Sequence, residues 1–240
     1  MSKFYRFIKR FGGWIFKLLY RFKVVNPENE PEATPYIVCA NHTHIFDVVP
    51  TVVFLKPQIH FMAKKEVFKT PLLGPFAKAM GAYGVDRGAG DIGAIKKTIE
   101  MLKNGESICM FPQGTRAPYI NPEMIEPKDG VGMIQARTKV GILPVCIRTK
   151  KNKIKLFRRT EFVIGELLTP EMLEFPELGG KEKYKAISEL VYSKICEMNN
   201  QIERKPLSEK KQAKYLCKVR KKEEKVIKKL EKRNQKGKNK

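Results

Sequence analysis

Residues 36–47 read Tyr36-Ile37-Val38-Cys39-Ala40-Asn41-His42-Thr43-His44-Ile45-Phe46-Asp47. The first five are apolar without interruption, the pattern of a strand buried on both faces. Four polar residues end it, and residues 45–55 resume with apolar side chains at helical spacing. Strand, loop and helix then repeat along the chain. Residues 59–63 read as a second strand. Residues 67–80 contain Pro71 and Pro75 and so break into short helices. Residues 83–85 are short and extended, and 92–103 form an amphipathic helix with lysines in its last turn and Gly105 beyond it. Residues 107–111 are a strand, 131–139 a helix, and 142–147 a strand containing Pro144, which denies the ladder a donor and so predicts an edge or irregular strand. Residues 154–157 and 161–164 read as further strands, expected as a hairpin at the sheet edge, and 184–202 as a closing helix. This alternation predicts an α/β domain with a largely parallel central sheet flanked by helices. In such sheets reactive groups gather in the loops beyond the carboxyl ends of the strands.

The 240 residues are 42% hydrophobic, enough for a real core, and wholesale disorder is excluded. The five cysteines include no Cys-x-x-Cys pair, which argues against a disulfide framework or a zinc ribbon. Cys39, Cys109 and Cys146 sit in apolar runs and read as reduced core thiols of a cytosolic protein. No stretch reaches the roughly 18 apolar residues of a membrane span.

A formal charge of +23 is distributed unevenly. Residues 1–25 carry seven basic and no acidic residues, residues 204–240 carry 17 basic and four acidic, and the middle is close to neutral. Three units follow: residues 1–28 as a docking segment, 29–203 as the domain, and 204–240 as a lysine-rich tail. In the first, Phe4, Phe7, Ile8, Phe11, Trp14, Ile15, Leu18, Leu19 and Phe22 fall on one side of a helix. Lys3, Arg6, Lys9, Arg10, Lys17 and Arg21 fall on the other, and Gly12-Gly13 offers a bend. Such a helix suits an anionic membrane surface, with a terminal helix packed on the core as the alternative; it does not suit a secretory signal, because charges interrupt its apolar stretch. In the tail, Tyr215, Leu216, Val219, Val226, Ile227 and Leu230 line one side of a thin helix over about 207–233. The final four residues read as disordered.

Four segments directly after strands carry the chemistry. In the first, a helix opening at Ile45 brings Asp47 back toward His42, so that a carboxylate fixes one ring nitrogen and leaves the other as a general base. His42, His44 and Asp47 also superficially resemble a two-metal hydrolase signature. Only His60 remains elsewhere, however, so no imidazole set for two metals can be assembled and no metal is expected. In the second, Arg87 follows a short strand among glycines and suits a phosphate or an exposed salt bridge. In the third, Phe111-Pro112-Gln113-Gly114-Thr115-Arg116, Gly114 permits a tight turn. Arg116 can then hold phosphate oxygens with the neighbouring amides and the Thr115 hydroxyl. The fourth, Ile142-Leu143-Pro144-Val145, has no titratable group and suits the wall of an acyl or thioester channel.

In this order the four resemble the conserved blocks of the glycerolipid acyltransferase family, in particular its 1-acyl-glycerol-3-phosphate acyltransferases. Asn41, His42 and Asp47 match Asn-His-x4-Asp, while Gly81, Tyr83, Val85 and Arg87 match the second block loosely. Phe111, Pro112, Gly114, Thr115 and Arg116 match Phe-Pro-Glu-Gly-Thr-Arg, and Leu143, Pro144 and Val145 match Val-Pro-Val. The resemblance covers roughly residues 30–170. Two departures stand out: His44 replaces a usual serine, and Gln113 replaces a usual glutamate, keeping its shape without its charge.

The resemblance implies His42 and Asp47 as catalytic residues, and Arg87, Gly114, Thr115 and Arg116 as the phosphate site. Asn41, Gln113 and Pro144 are further substrate contacts. It implies an acyl thioester co-substrate, acyl-CoA or acyl-carrier protein, and no cofactor. A lysophospholipid acceptor and peripheral or monotopic attachment to the cytoplasmic face of the cell membrane follow. Glycerol 3-phosphate or another lysophospholipid is an alternative acceptor. A basic nucleic-acid-binding protein is the non-enzymatic alternative, disfavoured by the near-neutral middle and the lack of an aromatic-studded basic sheet.

Overall fold

A computed structural model describes residues 3–85, 92–201, 213–221, 224, 225 and 228. The chain opens as one helix with a single π-type turn, α1 (Lys3–Phe7), Ile8–Gly12 and α2 (Gly13–Tyr20), and runs into strand β1 (Phe22–Val25). Strand β2 (Ile37–Ala40) leads through a 3-10 turn (Ile45–Asp47) into α3 (Val48–Phe54). Then come β3 (Ile59–Lys64), α4 (Leu73–Ala79), β4 (Ala82–Val85), α5 (Ile92–Lys103), β5 (Ser107–Met110), α6 (Gly130–Thr138), β6 (Ile142–Arg148), β7 (Thr160–Ile164) and α7 (Gly180–Asn200).

The seven strands form one sheet in the order β1-β7-β6-β2-β5-β3-β4, parallel throughout except where β7 meets β6. Alternation along β2 explains its unbroken apolar run. Val38 and Ala40 face a core shared with Tyr5, Tyr20, Val52 and Leu55, while Ile37 and Cys39 face one shared with Leu102, Val131, Ile134, Ile187 and Val191. Helices therefore cover both sides of the sheet. Cys39, Cys109 and Cys146 are buried free thiols.

Two expectations are corrected. The first concerns Pro144, which lies on an internal strand and not at an edge, opposite Cys39 of β2. A residue's N–H and C=O point to the same side of a strand, and the Pro144 carbonyl accepts from Gly165 N on the β7 side at 2.9 Å. The missing donor thus falls at the end of the antiparallel ladder, and the parallel ladder with β2 is intact. Second, residues 154–157 form no strand, turning at Leu156-Phe157, and Phe157 N donates to the Leu19 carbonyl at 2.7 Å. The partners of β7 are β6 and β1, and β1 is an edge strand that hydrophobic periodicity had assigned to the end of a helix. Gly12 closes the π-type turn and Gly13 opens α2, both at helical backbone angles. A side chain at Gly13 would meet Val53 Cγ1 at 2.7 Å, so glycine there lets α2 approach α3.

The opening helix has two apolar faces. Tyr5, Tyr20 and the partly buried Ile8, Phe16 and Leu19 pack on the core, and the Tyr5 hydroxyl accepts from Ile59 N at 3.1 Å. Burial pushes that hydroxyl's pKa up to about 12. Lys9, read from spacing on the basic side of the helix, donates to the carbonyls of Leu55 and Lys56. Phe4, Phe7, Phe11, Trp14, Ile15 and Leu18 point outward, with Trp14 69% exposed. Among the described residues no helix is long and apolar enough to cross a membrane.

Candidate active site

The loops after β2 and β5 converge, because these strands are neighbours in the sheet. Asp47, fully buried, accepts three N–H groups through Oδ2: His42 Nδ1 at 2.8 Å, His44 N at 2.7 Å and Thr43 N. One oxygen thus orients the imidazole and closes the loop. Nε2 of His42 has no hydrogen-bond partner among the described residues, the arrangement a general base needs.

The β5 loop holds His42 from three directions. Gln113, 1% exposed, accepts from His42 N through Oε1; Ala117 N donates to the His42 carbonyl at 2.8 Å; and Phe111 stacks on the imidazole with ring centres 4.0 Å apart. Phe111 thus covers one face of an imidazole that is itself buried.

His44 explains one departure from the family pattern. Its Nδ1 accepts from Phe46 N at 3.4 Å while Asp47 accepts from His44 N, so the pair forms a capping box on the 3-10 turn. Imidazole here does the capping job of a serine hydroxyl. Burial lowers the His44 pKa; Asp47 opposes the shift, and Lys153, Arg116 and His42 reinforce it.

Gly114 adopts φ +66°, a left-handed conformation suited to glycine, and its N–H closes the turn on the Phe111 carbonyl at 2.9 Å. Arg116 is exposed beyond it, Thr115 is half-buried, and Arg116 makes no salt bridge among the described residues. Arg87 lies outside the described residues. Asn41 links β2 to β6: its side chain donates to the Ile147 carbonyl at 3.1 Å and accepts from Ile147 N at 2.7 Å. Pro144 lies in the sheet, where its Cγ and Met198 Cε both approach Gly165.

Two cations near the turn carried no sequence signal. Lys128 N donates to the Pro112 carbonyl at 2.8 Å, and its Cγ would lie 3.3 Å from a side chain at Gly114. Lys153 follows the turn after β6 and acts electrostatically on His44 together with Arg116. Both reach the site by tertiary return of the chain, which spacing does not encode.

A protein-family model described as Acyltransferase matches residues 21–148. The 1-acyl-sn-glycerol-3-phosphate acyltransferase of Bacillus subtilis (strain 168) is 33% identical over 184 residues, covering 75% of this chain and 89% of that protein. The enzyme of the same name from Escherichia coli (strain K12) is 28% identical over 171 residues, 69% of each chain. The crystal structure of the 1-acyl-sn-glycerophosphate (LPA) acyltransferase PlsC from Thermotoga maritima superimposes with a TM-score of 0.65 at 26% identity. It covers 83% of this chain and 81% of its own.

Proposed function

The chain belongs to the acyltransferase family, and on that premise we propose that it acylates the sn-2 hydroxyl of 1-acyl-glycerol 3-phosphate, giving phosphatidic acid. The observation that carries this reading is the His42–Asp47 pair, 2.8 Å apart, with Nε2 unpartnered beside the turn that bears Arg116. His42 Nε2 takes the hydroxyl proton as the oxygen attacks the thioester carbonyl. When the tetrahedral intermediate collapses, the C–S bond breaks and the imidazolium returns the proton to the leaving thiolate. Asp47 stabilises that imidazolium and fixes its tautomer. Arg116 and the Gly114-Thr115 turn hold the acceptor's phosphate, joined by Arg87.

Acyl-CoA and acyl-carrier protein both supply the required thioester. Attachment to an anionic membrane surface is supported by the outward stripe from Phe4 to Leu18 and its acid-free surroundings. Each basic residue near such a surface contributes about 1 kcal/mol. The deciding assay supplies purified protein with lysophosphatidate and, separately, acyl-CoA and acyl-carrier protein. Phosphatidate formation that His42→Ala abolishes, at unchanged thermal stability, is expected; full activity in His42→Ala excludes this mechanism.

A further inference from the structure

We propose that Lys153 is a second phosphate-binding cation of this site, held at its rim by Tyr119 and, through Tyr215, by the C-terminal helix over 213–221. The inference rests on the function proposed above and adds to it residues beyond the matched family region, which ends at Arg148.

The loop after Arg116 is tied at two points. Ala117 N donates to the His42 carbonyl at 2.8 Å, and Tyr119 N donates to the Asn152 carbonyl at 2.9 Å. Three residues therefore connect Arg116 to the turn that presents Lys153. That turn is closed by Lys153 N donating to Thr149 Oγ1 at 2.8 Å. Tyr119 at φ +68° and Asn152 at φ +47° both occupy the left-handed region, which a tyrosine adopts only where its surroundings impose it.

Tyr119 is the hub of this arrangement. Lys153 Nζ lies 4.8 Å and Lys155 Nζ 5.7 Å from its ring centre, and its ring stacks on Tyr215 at 4.8 Å. Lys218 Nζ lies 5.9 Å from the Tyr215 ring. Burial would raise the pKa of the Tyr119 hydroxyl, but hydrogen bonding to Lys153 and the charges of Lys153 and Lys155 lower it overall. The helix is seated by Val219, Tyr215 and Leu216 on Ala117, Ile120 and Ile125.

Among the described residues neither Lys153 nor Arg116 forms a salt bridge. Two cations beside one histidine loop, with no carboxylate paired to them, create a field that favours an anion. Both substrates in the assay below present phosphate: the acceptor in its headgroup, acyl-CoA in its nucleotide. The aromatic stack and the helix behind it restrain the lysine, which otherwise loses substantial rotamer freedom on binding.

Full-length protein is assayed with lysophosphatidate and acyl-CoA, varying each in turn. Lys153→Met is expected to raise one KM about tenfold or more while kcat stays within about twofold, and Lys153→Arg to restore it. Tyr215→Ala raises the same KM, and Tyr215→Phe, which keeps the stack, does not. A rise for lysophosphatidate assigns Lys153 to the acceptor phosphate; a rise for acyl-CoA assigns it to the donor. Both KM values unchanged in Lys153→Met, or a rise that Lys153→Arg fails to restore, overturns the proposal. His42→Ala in the same assay keeps the two readings apart. Its inactivity leaves the general function standing when the lysine proposal fails.

Discussion

The Gln113 side chain accepts the backbone N–H of His42, joining the β5 loop to the proposed base through one buried amide oxygen. A glutamate at this position offers the same acceptor. Glutamine therefore preserves the hold on His42 while adding no charge beside the proposed phosphate site.

Removing that acceptor leaves a buried N–H without a partner, at a cost of about 1–3 kcal/mol. Gln113→Ala is expected to lower the melting temperature and reduce kcat at least tenfold, because His42 shifts relative to Phe111 and Asp47. Gln113→Glu retains most of both. Differential scanning fluorimetry and steady-state kinetics on the two variants check this.

Asp47 serves three N–H groups with one oxygen, so its replacement separates orientation from charge. Asp47→Asn keeps an acceptor but cannot stabilise an imidazolium at Nδ1. The expected loss in kcat is roughly 10²–10⁴-fold, with KM for lysophosphatidate little altered. A variant with full kcat at saturating substrates removes the His42–Asp47 pair from the chemistry.

The depressed pKa of His44 gives stability a pH dependence. Unfolded chains protonate this histidine near 6.5, whereas the folded protein resists protonation to lower pH. The unfolded state therefore binds more protons as the pH falls through and below about 6.5, and the stability difference is lost progressively there. Above that range both states hold a neutral ring and the effect vanishes. Protonation also removes the Nδ1 acceptor for Phe46 N. His44→Ser caps the turn without titrating, so its melting temperature is expected to fall less between pH 7 and pH 5 than that of the parent.

The two faces of the opening helix make opposite predictions. Trp14→Ser with Leu18→Ser is expected to reduce flotation with anionic vesicles by several-fold and leave the melting temperature unchanged, since both side chains are exposed. Tyr5→Ala empties a fully buried site and removes the acceptor for Ile59 N, costing about 3–5 kcal/mol. Equal effects of the two sets on melting contradict the division of faces.

The strand and helix succession was legible because a parallel sheet buried on both faces forces continuous apolar runs. His42, Asp47, Gly114 and Arg116 were legible because they lie in the segments that directly follow such runs. β1 was not, since Phe22 continues the 3-4-3 spacing of the helix before it, and its pairing with β7 depends on residues far along the chain. The core-facing side of the helix was hidden for a related reason: Tyr5, Phe16 and Tyr20 lie outside the wider outward stripe. Pro144 misled because a missing donor is harmless where the ladder ends at Gly165. Within the predicted tail helix, Tyr215, Leu216 and Val219 turn inward as their spacing requires, while Val226, Ile227 and Leu230 lie outside the described residues.

The edge position of β1 has a consequence for synthesis on the ribosome. Among the described residues Phe22–Val25 pairs only with Thr160–Val163, so the first strand of the sheet waits for the last. At 5–20 residues per second that delay is on the order of ten seconds. Through it, the aromatic stripe of the preceding helix is already made while its sheet is still incomplete. A nascent chain built this way can meet a lipid surface before its catalytic domain exists.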